Sequence, residues 1–303
     1  MLKKKTLLTG VLGILSVGYG LFKYVHQRDS KSLKSTPPKF AADNQAMLWA
    51  QEFKQLPKQR VMLTSFDNLQ LVASLTCNSK NKGTVILVHG FGVDHYSLDK
   101  IGAVFYKLGF NVLQPDNRAA GMSAGRYMSY GHLEKYDVQN WLWHVLTSKQ
   151  LNHNLILFGA SMGAATVLQS LSLQLPTTLK GVVADSSYTN AKDIMDYNIH
   201  RQTGLSAKPI TPLLSLWSRL IVGSFYSNIS ASKAVLNNKI PLLFVRGLKD
   251  TTVPPEMSEQ LYNVAGGKAK LVSFADAAHI RAIEAQPRRY YQMIADFCQQ
   301  VFA

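Results

Sequence analysis

The chain has 303 residues, two cysteines and a formal net charge of +15. Two cysteines, Cys77 and Cys298, are too few for a disulfide framework and have no metal-ligand spacing, so they predict no metal site. No cofactor is expected either, because the chemistry predicted below needs none. The positive charge does not by itself indicate nucleic-acid binding, because no recognisable module or interleaving of basic and aromatic residues accompanies it. A body of about 260 residues can hold one substantial core, so a single main domain is expected.

The first predicted element is an apolar segment behind a basic start. Lys3, Lys4 and Lys5 precede residues 6–22, which hold no charged side chain and are rich in leucine, valine, isoleucine and glycine. A bilayer is crossed by roughly 20 apolar residues. We therefore expect residues 1–25 to be a single-pass anchor in the cell membrane, with a cytoplasmic N-terminus and an extracytoplasmic catalytic domain. A cleaved signal peptide, which would leave a secreted protein, is the alternative.

Residues 26–45 are predicted to form a polar tether between the apolar N-terminal segment and the domain that follows. The stretch is rich in lysine, serine and proline, and Pro37-Pro38 would end any helix. Because the N-terminal region is strongly basic, anionic lipid headgroups or wall polymers are suitable neighbours for it. The remaining residues, 46–303, are expected to form the domain.

Strands and helices alternate along most of that domain. A leading helix is predicted over residues 44–56. Next come two strands around Asp67-Asn68 that we expect to pair antiparallel, at residues 61–65 and 69–75. The later strands are buried apolar runs separated by helical segments, which is typical of an α/β fold with a mostly parallel central sheet and helices on both faces. These runs are residues 84–88, 111–115, 155–158, 181–185, 240–246 and 270–274.

The pentapeptide Gly159-Ala160-Ser161-Met162-Gly163 directly follows one of these strands. A serine in G-x-S-x-G sits on a tight strand-to-helix turn that lifts its hydroxyl clear of the sheet, and the glycines avoid collisions in that turn. The helix that follows directs its N-terminal amides and positive dipole end towards the serine. The motif also occurs by chance, so its partners matter. Ser161 is the predicted nucleophile.

An acid and a base are expected on loops after later strands, in the chain order serine, acid, histidine. Asp250 follows the penultimate predicted strand, and His279 follows the last one. We therefore predict Asp250 as the acid and His279 as the base. Asp250 could instead be only a turn former, with Asp276 and Asp185 as alternative acids.

The loop at residues 89–92, His-Gly-Phe-Gly, follows the first buried strand and is the expected oxyanion loop. We predict the backbone N–H of Phe91 as one oxyanion donor and that of Met162 as the second. His89 is interpreted as a residue that fixes this loop and not as a second base. Two charged residues after the next strand are read as structural, Asp116 and Arg118.

Together these residues resemble the α/β-hydrolase superfamily, and especially bacterial membrane-anchored serine hydrolases of the YqkD type and the prolyl-oligopeptidase-like group. The likeness covers roughly residues 60–300, as one hydrolase domain would. It implies that Ser161, Asp250 and His279 form a catalytic triad, and it indicates reaction type better than substrate. Four phrases carry the likeness, VILVHG at 85–90, LGFNVLQPDNR at 108–118, FGASMGAATV at 158–167 and GLKDTTVP at 247–254.

Residues 186–238 form an interval longer than one crossover helix requires, and it is rich in leucine and aromatic residues. Its position matches the insertion that covers the active site in lipases and esterases, so we expect a small helical cap. The alternative is that its apolar residues only pack crossover helices onto the sheet. An apolar cap would suit acyl chains better than charged peptides.

The sequence thus favours a serine hydrolase that cleaves carboxylic esters through an acyl-enzyme, acting on a small, apolar ester or other acyl substrate. A prolyl-oligopeptidase-type peptidase, a thioesterase and an acyltransferase use the same triad and remain alternatives. A binding scaffold without catalysis is the non-enzymatic alternative. The presence of all three triad residues argues against it.

Overall fold

The computed structural model describes residues 2–27 and 44–303, with side chains described from residue 13 onwards. In these parts of the chain one sheet is formed in the order β1-β2-β4-β3-β5-β6-β7-β8. The pairs β1–β2 and β2–β4 are antiparallel, and every later pair is parallel. The strands are β1 (Gln59–Thr64), β2 (Gln70–Thr76), β3 (Thr84–Val88), β4 (Asn111–Pro115), β5 (Leu155–Ala160), β6 (Leu179–Asp185), β7 (Leu242–Gly247) and β8 (Ala269–Phe274). The predicted α/β fold with a mostly parallel sheet is confirmed.

The helices of the same described residues fall before, between and after these strands. They are α1 (Leu2–His26), α2 (Gln45–Lys54), α3 (Asp99–Leu108), α4 (Glu134–Thr147), α5 (Met162–Ser170), α6 (Ala191–Thr203), α7 (Ile210–Ile221), α8 (Ala231–Val235), α9 (Pro255–Val264), α10 (Ala282–Ala285) and α11 (Pro287–Phe302).

The central strands are buried on both faces because helices cover each side of the sheet. Every residue of β3 and β5 is buried. Successive side chains of a strand point to opposite faces, so Ile86 packs in one core and Val85 in the other. The first core also contains residues of α4, α5, α8 and α9, and the second contains residues of α2, α3 and α11. The carboxyl ends of the parallel strands therefore lie at one edge of a rigid layer, where loops can carry functional groups.

The insertion between β6 and β7 is helical, as predicted, and it divides into two parts. Helix α8 packs into the sheet core through Ala231 and Val235, as the alternative interpretation expected. Helices α6 and α7 contribute to a separate apolar cluster that includes Met195 and Leu214, although Ile194 of α6 also packs in the sheet core. Tyr197 of α6 donates its hydroxyl hydrogen to the carbonyl oxygen of Thr251 at 2.9 Å. This bond ties the insertion to the loop that follows β7.

The end of α1 also belongs to that separate cluster, and this differs from the predicted start of a tether at residue 26. Phe22 is fully buried in the cluster. His26 is buried as well, with Nδ1 2.6 Å from the Met128 carbonyl oxygen and Nε2 2.6 Å from the Tyr226 hydroxyl. The sequence assigned His26 to the tether because its two hydrogen-bond partners lie 102 and 200 residues away along the chain. The predicted tether residues 28–43 lie outside the described residues.

The predicted anchor, residues 1–25, is described in part. Helix α1 runs over Leu2–His26, whereas residue 1 and the side chains of residues 2–12 lie outside the description. Within what is described, no helix combines the length and apolar character needed to traverse a membrane.

Candidate active site

Ser161 occupies the single position between the end of β5 and the start of α5. Its backbone has φ of 55° and ψ of −119°, which is a strained conformation for a residue with a side chain. The turn is tight: a Cβ on Gly163 would collide with the Val88 carbonyl oxygen, and one on Gly159 would collide with the Gly163 carbonyl. The motif therefore forms the strand-to-helix turn that its sequence predicts.

The three predicted triad side chains lie within hydrogen-bond distance of one another. His279 Nε2 is 2.8 Å from Ser161 Oγ, and His279 Nδ1 is 2.7 Å from Asp250 Oδ2. Because an ionised carboxylate only accepts, Nδ1 carries the imidazole proton and Nε2 is left to accept the serine proton. This is the arrangement that a base-activated serine requires. The catalytic roles of the three residues stay predictions.

Asp250 also has the turn-forming role that was its alternative interpretation. Its second oxygen, Oδ1, accepts the backbone N–H groups of Thr252 at 2.8 Å and Val253 at 2.9 Å. The Asp250 side chain is 2 % exposed, whereas that of His279 is 18 % exposed. The loop thus fixes the acid in the interior, while the histidine ring borders solvent.

The alternative acids have other partners. Asp276 is exposed and forms an ion pair with Lys249, with 2.7 Å between Oδ1 and Nζ. Asp185 is buried at the end of β6, and its carboxylate accepts the hydroxyl groups of Tyr290 and Ser186. Asp250 is therefore the carboxylate that meets His279 Nδ1.

The predicted oxyanion loop is held from behind by His89, as expected. The ring is fully buried; Nε2 accepts the Asn117 N–H at 2.9 Å, and Nδ1 donates to the Gly90 carbonyl oxygen at 2.8 Å. Burial lowers the pKa of His89 and so favours the neutral ring. A Cβ on Gly90 would lie 3.3 Å from the Ser161 Cβ, so the loop passes directly beside Ser161.

The two predicted oxyanion donors, Phe91 and Met162, directly follow Gly90 and Ser161 in the chain. Met162 is the first residue of α5, where backbone N–H groups have no partner within the helix. Phe91 follows Gly90, and its ring stacks on Tyr130 with 5.7 Å between centroids and 10° between planes. Among the described residues, neither backbone N–H donates a hydrogen bond. Their function as oxyanion donors stays a prediction.

The sequence of the chain matches a known protein family. The Hydrolase_4 family model, described as serine aminopeptidase, S33, matches residues 79–238, which is more than half of the chain. The chain belongs to this family. It is 24 % identical over 248 residues to YqkD of Bacillus subtilis, covering 82 % of this chain and 81 % of that protein.

The chain is also similar to a yeast protein in sequence and to a solved esterase structure in fold. The membrane protein YNL320W of Saccharomyces cerevisiae is 25 % identical over 245 residues, covering 80 % of each chain. The solved structure of the Pyrococcus furiosus esterase Pf2001 superposes with a TM-score of 0.68 at 21 % identity, covering 88 % of this chain and 98 % of that one. This likeness shows the α/β-hydrolase fold.

In this α/β-hydrolase the charged residues after β4 support the loops and do not reach the triad. Asp116 accepts hydrogen bonds from the His95 backbone and ring at 2.9 and 2.8 Å and from the Met122 N–H at 2.8 Å. The guanidinium of Arg118 is buried and donates to two carboxylates, Asp67 and Asp137. Both residues have the structural role that the sequence predicted.

A network around Asp185 was not predicted as part of the site. The Asp185 carbonyl oxygen accepts the Ser161 N–H at 2.9 Å. Its carboxylate accepts the Ser186 hydroxyl at 3.0 Å and the Tyr290 hydroxyl at 2.8 Å. The Ser186 Oγ in turn accepts the N–H of Ile280, the residue after the triad histidine, at 3.2 Å.

This network joins three strained residues. Ser161, Ser186 and Ile280 have φ of 55°, 58° and 51°, a region that residues with side chains seldom adopt. Burial raises the pKa of Asp185 to about 6, although the hydrogen bonds from Tyr290 and Ser186 act to lower it. The sequence signal was an acidic residue at the carboxyl end of β6, but only the fold shows that it links Ser161 to the loop of His279.

Proposed function

We propose that the protein is a serine hydrolase that cleaves carboxylic esters through an acyl-enzyme intermediate. The observation that supports this most directly is the hydrogen-bonded series from Ser161 Oγ through His279 to Asp250. The series starts on a strained strand-to-helix turn, which is how a nucleophilic serine is presented in this fold.

In the proposed reaction Ser161 Oγ attacks the acyl carbon while its proton passes to Nε2 of His279. The carbonyl electrons move onto oxygen, and the N–H groups of Phe91 and Met162 stabilise the resulting charge; each such donor is typically worth a factor of 10²–10³ in rate. The imidazolium then protonates the leaving alkoxide. A water molecule attacks the acyl-enzyme, gives its proton to His279, and the released serine recovers that proton.

Esters are favoured over free peptides by the charges of the site. An aminopeptidase must bind the α-ammonium group of its substrate, usually with a carboxylate. Both oxygens of Asp250 are engaged by His279 and the following turn, and both oxygens of Asp185 accept hydroxyl groups. The family description nevertheless names a serine aminopeptidase, so amides belong in the test.

The test uses the full chain with p-nitrophenyl esters from acetate to palmitate, aminoacyl p-nitroanilides and a fluorophosphonate probe. We expect ester hydrolysis, labelling of Ser161, and a fall of at least about 10³-fold in kcat for Ser161→Ala. Ser170→Ala is the matched control, because Ser170 is a buried serine whose hydroxyl donates to the Val167 carbonyl oxygen within α5. Hydrolysis of anilides in preference to esters would replace the esterase by a peptidase. A protein inert to both substrates and to the probe would be a scaffold.

We also propose that the enzyme works at the cell membrane, with its catalytic domain outside the cytoplasm. This rests on the basic start and apolar residues of the N-terminal segment. The yeast relative named a membrane protein is consistent with it. Cell fractionation should recover the protein with membranes, and protease added to intact protoplasts should digest the catalytic domain. Recovery in the soluble cytoplasmic fraction would contradict the proposal.

A further inference from the structure

The second half of α1 and the cap helix α7 pack side by side as one unit. Gly18 faces Leu213 so closely that a Cβ on the glycine would lie 2.5 Å from the leucine Cγ. Trp217 donates its indole N–H to the Leu15 carbonyl oxygen at 3.1 Å, and the rings of Trp217 and Tyr19 are 5.1 Å apart. The two helices therefore present a common outer surface.

That surface is apolar and exposed. On α1 the exposed side chains recur three and four residues apart and so form one stripe, and two more lie one turn apart on α7. Their exposed fractions run from 38 % to 64 %, and a group of neighbouring exposed apolar side chains is more informative than a single one. We call the five residues the outer face: Ile14, Val17, Leu21, Leu216 and Leu220.

The charged residues of the two segments that carry the outer face are all cationic. Residues 2–27 contain four lysines and no acidic residue. Residues 204–228, which include α7, contain Lys208 and Arg219 and again no acidic residue. The whole chain has 18 acidic residues, so both segments avoid them. Apolar stripes on helices whose own charged residues are all cationic have the composition of helices that lie in the headgroup region of anionic bilayers.

We propose that the outer face docks onto an anionic lipid bilayer, with Leu216 and Leu220 of the cap entering the acyl region beside α1. This goes beyond an N-terminal anchor, because it makes the catalytic domain itself part of the membrane contact. Trp217 and Tyr19 lie at the same helix pair, and such side chains favour the boundary between headgroups and acyl chains.

The proposal also bears on the substrate, and in this respect it rests on the proposed ester hydrolysis. Tyr130 donates its hydroxyl hydrogen to the Val25 carbonyl oxygen at the end of α1, and its ring stacks on Phe91 of the oxyanion loop. The docked helix thus ends one side chain away from that loop. The expected substrates are acyl esters that partition into membranes.

The direct test attaches an environment-sensitive fluorophore to a single cysteine of the full chain. Cys77 is exposed and is replaced by serine, whereas Cys298 is buried. Leu220→Cys carries the label on the outer face, and Leu236→Cys at the end of α8 is the matched exposed control. With phosphatidylcholine vesicles that contain phosphatidylglycerol, we expect a blue shift and quenching by brominated lipid at position 220 and neither at 236. An unchanged label at 220, or a chain that does not sediment with the vesicles, would overturn the proposal.

A second measurement separates docking from catalysis. The double variant Leu216→Gln/Leu220→Gln should partition into these vesicles about tenfold more weakly than Leu236→Gln/Val264→Gln, since the outer-face pair loses apolar burial. It should hydrolyse p-nitrophenyl palmitate held in the vesicles about tenfold more slowly but soluble p-nitrophenyl acetate at the unaltered rate. If the protein hydrolyses no ester, the partition result and the label still decide the docking. Equal partition of the two double variants would overturn it.

Discussion

Ser186 connects two loops that must stay in register for His279 to meet Ser161. Its hydroxyl donates to Asp185 and accepts the Ile280 N–H, while the neighbouring Asp185 carbonyl holds the Ser161 N–H. A residue with a side chain keeps a backbone φ near 55° only when surrounding contacts hold it in that conformation. The positions of Ser161 and His279 are therefore coupled through one hydroxyl group.

Ser186→Ala should lower kcat for p-nitrophenyl esters by about 10- to 100-fold with little change in KM, because it removes the bond that orients the histidine loop and leaves the substrate contacts in place. Thermal unfolding should shift similarly in Ser186→Ala and in Ser170→Ala, which loses a buried hydroxyl bond elsewhere. Equal kcat in these two variants would show that Ser186 has no positioning role.

Asp185→Asn should change how stability depends on pH. Burial raises the pKa of Asp185 to about 6, above the value near 3.9 expected for an unfolded chain. The folded protein thus holds this proton more tightly, and the resulting stabilisation is present below about pH 4 and lost as pH rises through about 6. Asparagine resembles the protonated acid at every pH. In urea titrations the free energy of unfolding of the variant, relative to the wild type, should rise by on the order of 2 to 3 kcal/mol between about pH 4 and pH 7.5. A constant difference would contradict the assignment.

The sequence predicted the residues of the site that belong to a motif and missed those that depend on tertiary contacts. Ser161 is marked by its glycines and His279 by its place after the last strand. Ser186 has no such mark, because its importance arises from a positive φ and from an N–H donor 94 residues away. Local patterns do not record such distant pairings.

At the scale of elements, α1 differs most from what its sequence suggested. Composition identifies residues 6–22 as apolar but does not tell whether their partner is lipid or protein. The structure gives part of α1 a protein partner, because Gly18 lets α7 approach and Phe22 enters the cluster between α1 and the cap. Such a fit depends on which face of the helix carries the glycine.

Gly18→Leu should therefore loosen α1 from α7, whereas Gly20→Leu should not. A side chain at position 18 would strike Leu213, and nothing lies within 4 Å of a Cβ at position 20. Overpacking of a well-packed contact typically costs about 1–3 kcal/mol, so local opening should rise by roughly 10- to 100-fold. Tryptic cleavage after Lys23, a partly buried residue of α1, measures this opening in the full chain. Equal cleavage rates in the two variants would argue against the close packing.

For the whole molecule, the alternation of strands and helices predicted the architecture, but not the order of the sheet. Continuous apolar runs indicate strands buried on both faces, and β3 and β5 are such strands. The order β2-β4-β3-β5 places β3 between two strands that follow it in the chain. That order follows from long-range pairing and the handedness of the crossovers.

The packing of α1 also predicts that the domain does not separate cleanly from its N-terminal segment. The sequence suggested an independent domain from residue 46, yet removing residues 1–43 would expose the apolar partners of Phe22, among them Leu214 and Tyr226. One buried phenylalanine is worth about 1.5–3 kcal/mol, so a chain that begins at residue 44 should melt roughly 3–6 °C lower and bind more of the hydrophobic dye ANS. A chain that begins at residue 13 is the control, since it keeps the contacts of Phe22 and His26 and should melt like the full chain. If both truncated chains had the same melting temperature, α1 would not contribute to the stability of the domain. A difference between them would make its second half part of the folded enzyme.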